Sequence, residues 1–132
     1  MPGMRVEHIA FQVKDPVAVA DWYVRNLGFR IARLAGGPGN THFLADEAGR
    51  VVLELYNNPA APQPDYAAMH PLMLHVAFAV EDVAAAHERL RRAGATSFSA
   101  PETAPSGDQF AMLRDPFGLP VQLVRRGKPL VE

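Results

Sequence analysis

His8, Glu54, His75 and Gln122 are residues whose types and spacing suit chemistry at one centre. Two imidazoles and a carboxylate form a donor set for a borderline divalent ion such as Zn²⁺, Ni²⁺, Co²⁺, Mn²⁺ or Fe²⁺. Neutral ring nitrogens and one carboxylate oxygen supply three ligands. The amide oxygen of Gln122 supplies a fourth, weaker and uncharged. An ion there would polarise a carbonyl or acidify bound water.

Spacing strengthens this reading. Glu7-His8-Ile9-Ala10-Phe11-Gln12-Val13-Lys14-Asp15 resembles Leu74-His75-Val76-Ala77-Phe78-Ala79-Val80-Glu81-Asp82, with His, Ala, Phe, Val and Asp in the same places. Each segment leads into a helical stretch that stops at a glycine, Gly28 or Gly94. Each half then ends in a strand with a central polar residue, Leu53-Glu54-Leu55 and Val121-Gln122-Leu123. The order, the helix stop and the last strand all recur, which marks two diverged copies of one β-α-β-β-β unit.

The elements follow from pattern. Arg5 to Val13 alternates as a half-buried strand does. Asp15 caps a helix with Pro16 in its first turn, and Ala20, Tyr23, Val24 and Leu27 form its apolar face. Phe29 to Leu34, Thr41 to Ala45 and Val51 to Tyr56 read as strands. The glycines at 36, 37 and 39 lack the setting of a phosphate loop and read as a turn. In the second copy, Leu72 to Val80 reads as a strand. Asp82 caps a helix with Val83, Ala86 and Leu90 inward. Thr96 to Ser99, Gln109 to Arg114 and Leu119 to Val124 complete the set. The segment from Asn57 to Pro71 holds four prolines and is expected to be extended and stiff.

Strand alternation sorts the faces. Ile9, Phe11 and Val13 point towards the helix, and His8, Ala10 and Gln12 point away. Leu74, Val76, Phe78 and Val80 oppose Met73, His75, Ala77 and Ala79. Leu53 and Leu55 oppose Glu54; Val121 and Leu123 oppose Gln122. All four candidate ligands fall on the face away from the helices. The expected fold is α+β: two tandem βαβββ modules forming a curved mixed sheet, a cup with helices on its outer face. Module 1 covers about 4–57, a linker 58–71, and module 2 about 72–126, within a single domain 1–132.

The chain has 132 residues, a net charge of −1 and no cysteine. The charge gives no electrostatic case for nucleic acid or a membrane surface. Missing thiols exclude disulfides, thiolate metal sites and a cysteine nucleophile. No apolar run reaches membrane-spanning length, and Met1 to Val6 has no stretch resembling a secretion signal. A cytoplasmic protein is the expectation.

These motifs carry a resemblance. His8-Ile9-Ala10-Phe11 with Asp15, Trp22-Tyr23, Leu27-Gly28-Phe29, Leu53-Glu54-Leu55, His75-Val76-Ala77-Phe78 with Asp82, and Asp115-Pro116-Phe117-Gly118 before Gln122 resemble the vicinal oxygen chelate superfamily. It includes glyoxalase I, bleomycin-resistance proteins, fosfomycin-resistance enzymes and extradiol dioxygenases. The resemblance runs from about Met4 to Arg125. In glyoxalase I-like members it implies metal ligands at His8, Glu54, His75 and Gln122, and an enediolate handled by a ligand carboxylate. The last position departs, because those families usually carry Glu where this chain has Gln122. An amide does not take up and return a proton near neutral pH, which leaves Glu54 as the carboxylate for base work. The implied function is a metal-dependent isomerase or lyase of glyoxalase type acting on a small oxygenated, metal-chelating substrate. The alternatives are a non-catalytic small-molecule or antibiotic-binding protein of bleomycin-resistance type, and an iron-dependent dioxygenase. A homodimer is the implied assembly.

Plainer roles stand beside these. His8 and His75 also suit hydrogen-bonded strand histidines, Glu54 a solvent-facing strand acid, and Gln122 a residue that orients a ligand. His42 reads as structural, and His70 and His87 as solvated. Tyr56, Met73, Met112 and Phe117 are candidates for the cup lining.

Overall fold

The computed structural model describes residues 2–131. The chain divides into two compact units, Met1–Pro64 and Asp65–Glu132. Each unit is one βαβββ module, so the α+β class and the internal repeat read from sequence are found in the structure.

In the first unit the order is β1 (His8–Gln12), α1 (Pro16–Leu27), β2 (Arg30–Ala35), β3 (Thr41–Ala45) and β4 (Val52–Tyr56). The sheet order is β1-β4-β3-β2, with β1 parallel to β4 and the other pairs antiparallel. The entry to α1 is chemically specified. Asp15 Oδ1 accepts from the Ala18 N–H at 3.1 Å, and Pro16 occupies the first turn, where a missing N–H costs nothing. Gly28 closes the helix at φ 72°, the left-handed region that glycine enters without a Cβ penalty. Val19, Ala20, Trp22 and Tyr23 of α1 are buried, as are Phe11, Leu44, Leu53 and Leu55 of the sheet.

The second unit begins with a 3-10 turn (Tyr66–Ala68), then β5 (Val76–Ala79), α2 (Val83–Arg92), β6 (Thr96–Thr103), β7 (Gln109–Arg114) and β8 (Pro120–Arg125). Its order β5-β8-β7-β6 repeats the first sheet, with β5 parallel to β8. Asp82 caps α2 through the Ala85 N–H at 2.9 Å, matching Asp15 in the first copy. Val83, Ala86 and Leu90 are buried with Ala111, Leu113, Val121 and Leu123.

Four sequence expectations are corrected. Ile9 is 45% exposed although it was assigned to the core, since β1 begins only at His8 and buries its far end, Phe11 and Gln12. The strand expected over Leu72 to Val80 is confined to Val76–Ala79. Before it the chain turns, with Met73 N–H donating to the His70 carbonyl at 2.8 Å, and this leaves Leu74 exposed. The segment from Asn57 to Pro71 is not simply extended, because local bonds bend it. Gln12 Nε2 donates to the carbonyls of Asn58 (2.6 Å) and Ala61 (2.9 Å), and Gln12 Oε1 accepts from Asn58 N–H at 2.8 Å. Further on, Arg114 donates to the carbonyls of Tyr66 (3.0 Å) and Met69 (2.8 Å). Finally, His87 is 8% exposed rather than solvated, and its Nε2 lies 2.8 Å from Ser97 Oγ.

Candidate functional site

In the first unit the strand register decides which side chains share a face. Ala10 pairs with Glu54, and Glu54 with Phe43. Cross-strand partners lie on one face of a sheet. His8, two residues before Ala10, therefore joins Glu54 and Phe43 on the face away from the buried leucines. The rings of His8 and Phe43 meet edge-on with centroids 6.4 Å apart. A bulge in β2 sets Ile31 opposite Leu44 but Arg33 opposite Phe43. Without that extra residue Arg33 would follow Ile31 to the other face. The result is a charged row, Arg33, Phe43, Glu54 and His8.

His8 and Glu54 approach each other across this row. His8 Nε2 lies 3.5 Å from Glu54 Oε2, with the side chains 40% and 20% exposed. On its other side, His8 Nδ1 lies 2.8 Å from Glu7 Oε1. An ionised carboxylate only accepts, so the Nδ1 position carries the proton in this contact. In the neutral ring the bare Nε2 then faces a carboxylate oxygen. Two acceptors facing each other at 3.5 Å need a cation or a proton between them. Two donors about 2.1 Å from a tetrahedral ion lie about 3.4 Å apart. The spacing and chemistry of this pair thus fit two ligands of a tetrahedral divalent ion.

The second unit places the other two candidates differently. Ala77 pairs with Gln122, so Gln122 holds the register position of Glu54. His75 stands two residues before Ala77, as His8 stands before Ala10. It lies ahead of β5 rather than within it, and its Nδ1 is 2.9 Å from the Pro71 carbonyl. A carbonyl oxygen also only accepts, so this contact again protonates Nδ1 and leaves Nε2 bare. Each unit therefore holds one histidine with its δ nitrogen tied and one oxygen donor on β4 or β8. Among the described residues, no group of three or more His, Cys, Asp or Glu side chains is gathered to hold a metal ion.

Gln122 borders an open pocket of about 250 Å³. Met112, opposite Gln122 on β7, and Phe110 line it together with Phe98, Ser99 and Glu102 of β6. Two register shifts in β6 bring these residues round. Ser97 faces Leu113, Ser99 faces Met112, and Glu102 faces Phe110. Residues three apart on a regular strand point to opposite sides, so the shifts are what put Ser99 and Glu102 on one face. Arg114 lies over the Phe98 ring at 5.9 Å, and Arg126 over the Phe110 ring at 5.2 Å. Arg126 is anchored by Asp108 at 3.1 Å. The Gly127 N–H, and secondarily Arg126, hold the Asp108 carboxyl below its usual range.

Of the expected lining residues, Met112 is in this pocket, whereas Met73 is 72% exposed in the turn before β5. Phe98, Phe110, Ser99 and Glu102 were not singled out from sequence. The available signal was Pro101, which interrupts a strand-like run; prolines inside strands sit at edges and bulges. His42 is structural as expected, buried with its Nδ1 2.9 Å from the Asn40 carbonyl.

Comparison with known proteins agrees with this architecture. The family model described as Glyoxalase/Bleomycin resistance protein/Dioxygenase superfamily matches residues 5–123. The chain belongs to this superfamily. Among solved structures it is similar to TnmS3, an antibiotic binding protein from Streptomyces sp. CB03234. That match has a TM-score of 0.75 and 23% identity over 96% of this chain and 99% of the other. It is also similar to SMU.1112c, with a TM-score of 0.71 and 28% identity over 92% and 98% of the two chains. A glyoxalase I mutant (E144Q) from Zea mays matches with a TM-score of 0.75 and 23% identity over 94% of this chain and 46% of the other. No curated protein sequence matches the chain.

Proposed function

We propose that this protein acts on a small oxygenated, metal-chelating molecule as a metal-dependent isomerase or lyase of glyoxalase type. The observation that carries the proposal is the His8 Nε2–Glu54 Oε2 approach at 3.5 Å, a spacing at which the neutral imidazole and the carboxylate can share a divalent cation. His8, Glu54 and His75 are the proposed ligands, with Gln122 as a weak ligand or an orienting amide. A bound divalent ion would supply Lewis-acid polarisation of a substrate oxygen. Glu54 is the proposed proton acceptor, since Gln122 at the matching position is an amide with no acid–base chemistry near neutral pH. Arg33, on the same row as Glu54, is placed to favour an anionic substrate group.

Elemental analysis of untagged protein purified without chelator tests this reading, with a His8→Ala/His75→Ala variant beside it. About one transition metal per chain, lost in the variant, is expected. Failure to retain Zn²⁺, Ni²⁺, Mn²⁺ or Fe²⁺ after incubation overturns the enzyme reading. Glu54→Gln is expected to abolish turnover while leaving the thermal midpoint near that of the parent.

A second reading has its own support. The pocket beside Gln122 has phenylalanine and methionine walls, which suits a binding protein that sequesters a molecule without turnover. The similarity to the antibiotic-binding TnmS3 is in keeping with it. Binding that persists in chelator, with the ligand recovered unchanged, is the outcome this reading expects. The proposed homodimer is checked by sedimentation equilibrium, with a mass twice 14.4 kDa expected.

A further inference from the structure

We propose that Glu102 sets the charge preference of the pocket beside Gln122, selecting a flat apolar molecule that carries a cationic amine. This rests on the reading that the pocket binds a small molecule, whether or not turnover follows.

The pocket has walls without charge, Phe98, Phe110, Met112, Ala111 and Leu72, and polar groups at Gln122, Ser99, His70 and Glu102. Two phenylalanine rings favour a flat partner, because aromatic faces and edges pair in offset or edge-on geometry. Glu102 is the one carboxylate among the described lining residues, and it shares its face with Ser99. From Ser99 to Glu102 the strand spends three residues while its partner β7 spends two, from Met112 to Phe110. The first shift, between Ser97 and Ser99, exchanges the faces of the strand, and this second one brings Glu102 to the face that Ser99 occupies.

Neither neighbouring arginine is part of the pocket lining. Arg126 pairs with Asp108, whereas Arg114 keeps its charge behind the Phe98 ring and turns two donors away to the carbonyls of Tyr66 and Met69. His70 Nδ1 accepts from the Leu72 N–H at 3.1 Å, which fixes the proton of its neutral ring on Nε2. Glu102 is therefore the charged group in the lining itself. Glu102 is exposed, so its pull is modest and weakens with salt.

Three probes of one shape separate the terms: 2-naphthylmethylammonium, 2-naphthalenemethanol and 2-naphthoate. Calorimetry with the full chain at low salt measures each affinity, and amide chemical shifts of β6 and β7 locate it. An exposed carboxylate is expected to favour the amine by about threefold and disfavour the acid by about threefold, so about tenfold separates them. Glu102→Gln is expected to level the three affinities, while Phe98→Ala weakens all three together and keeps their order. Equal binding of amine and acid, or an amine preference that survives Glu102→Gln, overturns the role of Glu102 and leaves the pocket standing. Binding by none of the three removes the pocket reading and this inference with it.

Discussion

Two histidines in this chain have their ring orientation decided by different partners, Glu7 for His8 and the Pro71 carbonyl for His75. The distinction predicts different sensitivities. Glu7→Ala removes the acceptor that holds the His8 proton on Nδ1, and metal affinity measured by competition with a chromophoric chelator is expected to fall about tenfold, at the low end of such orienting effects. A main-chain acceptor cannot be removed in this way, so His75 is the more robust of the two. His87 is a residue of another kind. Burial, then Arg91, lowers its pKa from the usual 6.5, against a smaller opposing effect of Glu88. Its folded-state value lies below the unfolded one, so below about pH 6.5 the unfolded chain binds the extra proton first. Stability is therefore full above that pH and falls as pH drops towards the folded value. Thermal midpoints between pH 7.5 and pH 5 are expected to fall less in His87→Gln than in the parent.

At the scale of elements, the helix starts were legible because they depend on neighbours in sequence. Asp15 and Asp82 each reach a backbone N–H three residues on. Either Asp→Ala change is expected to cost about 1 kcal/mol in urea unfolding, with the slope unchanged. The turn before β5 was not legible. Leu72, Met73 and Leu74 have the composition of a strand, and only the bonds that His70 and Pro71 make to later residues fold them into a turn. Likewise His87 sits where a helix flank normally meets solvent, and its contact with Ser97 on β6 is made inside. Distant partners of this sort leave no mark in local pattern. In the core, Leu44 and Leu113 have no exposed surface, and truncating either to alanine is expected to cost about 2–5 kcal/mol.

Across the whole chain the two modules keep one plan and divide the chemistry. Repetition made the plan visible from sequence, since the His, capping Asp, stopping Gly and final strand recur together. Repetition also located Glu54 and Gln122, which hold equivalent register positions. What repetition hides is divergence. The first face carries Arg33, Glu54 and His8 around one phenylalanine, whereas the second carries Phe98, Phe110 and Met112 beside an amide. A symmetric reading of the sequence therefore singles out the paired polar positions and overlooks the pocket.

The irregular course of β6 has a consequence for how copies of this protein meet. β6 is an outer strand of its sheet, eight residues long and exposed throughout, the kind of border onto which another chain can stack by main-chain pairing. Its two shifts break the run of outward N–H and C=O groups, and Pro101 removes one donor outright. The same two bulges that set Ser99 and Glu102 on one face also spoil the template for fibrous self-association, so a change that straightened β6 would cost the protein solubility.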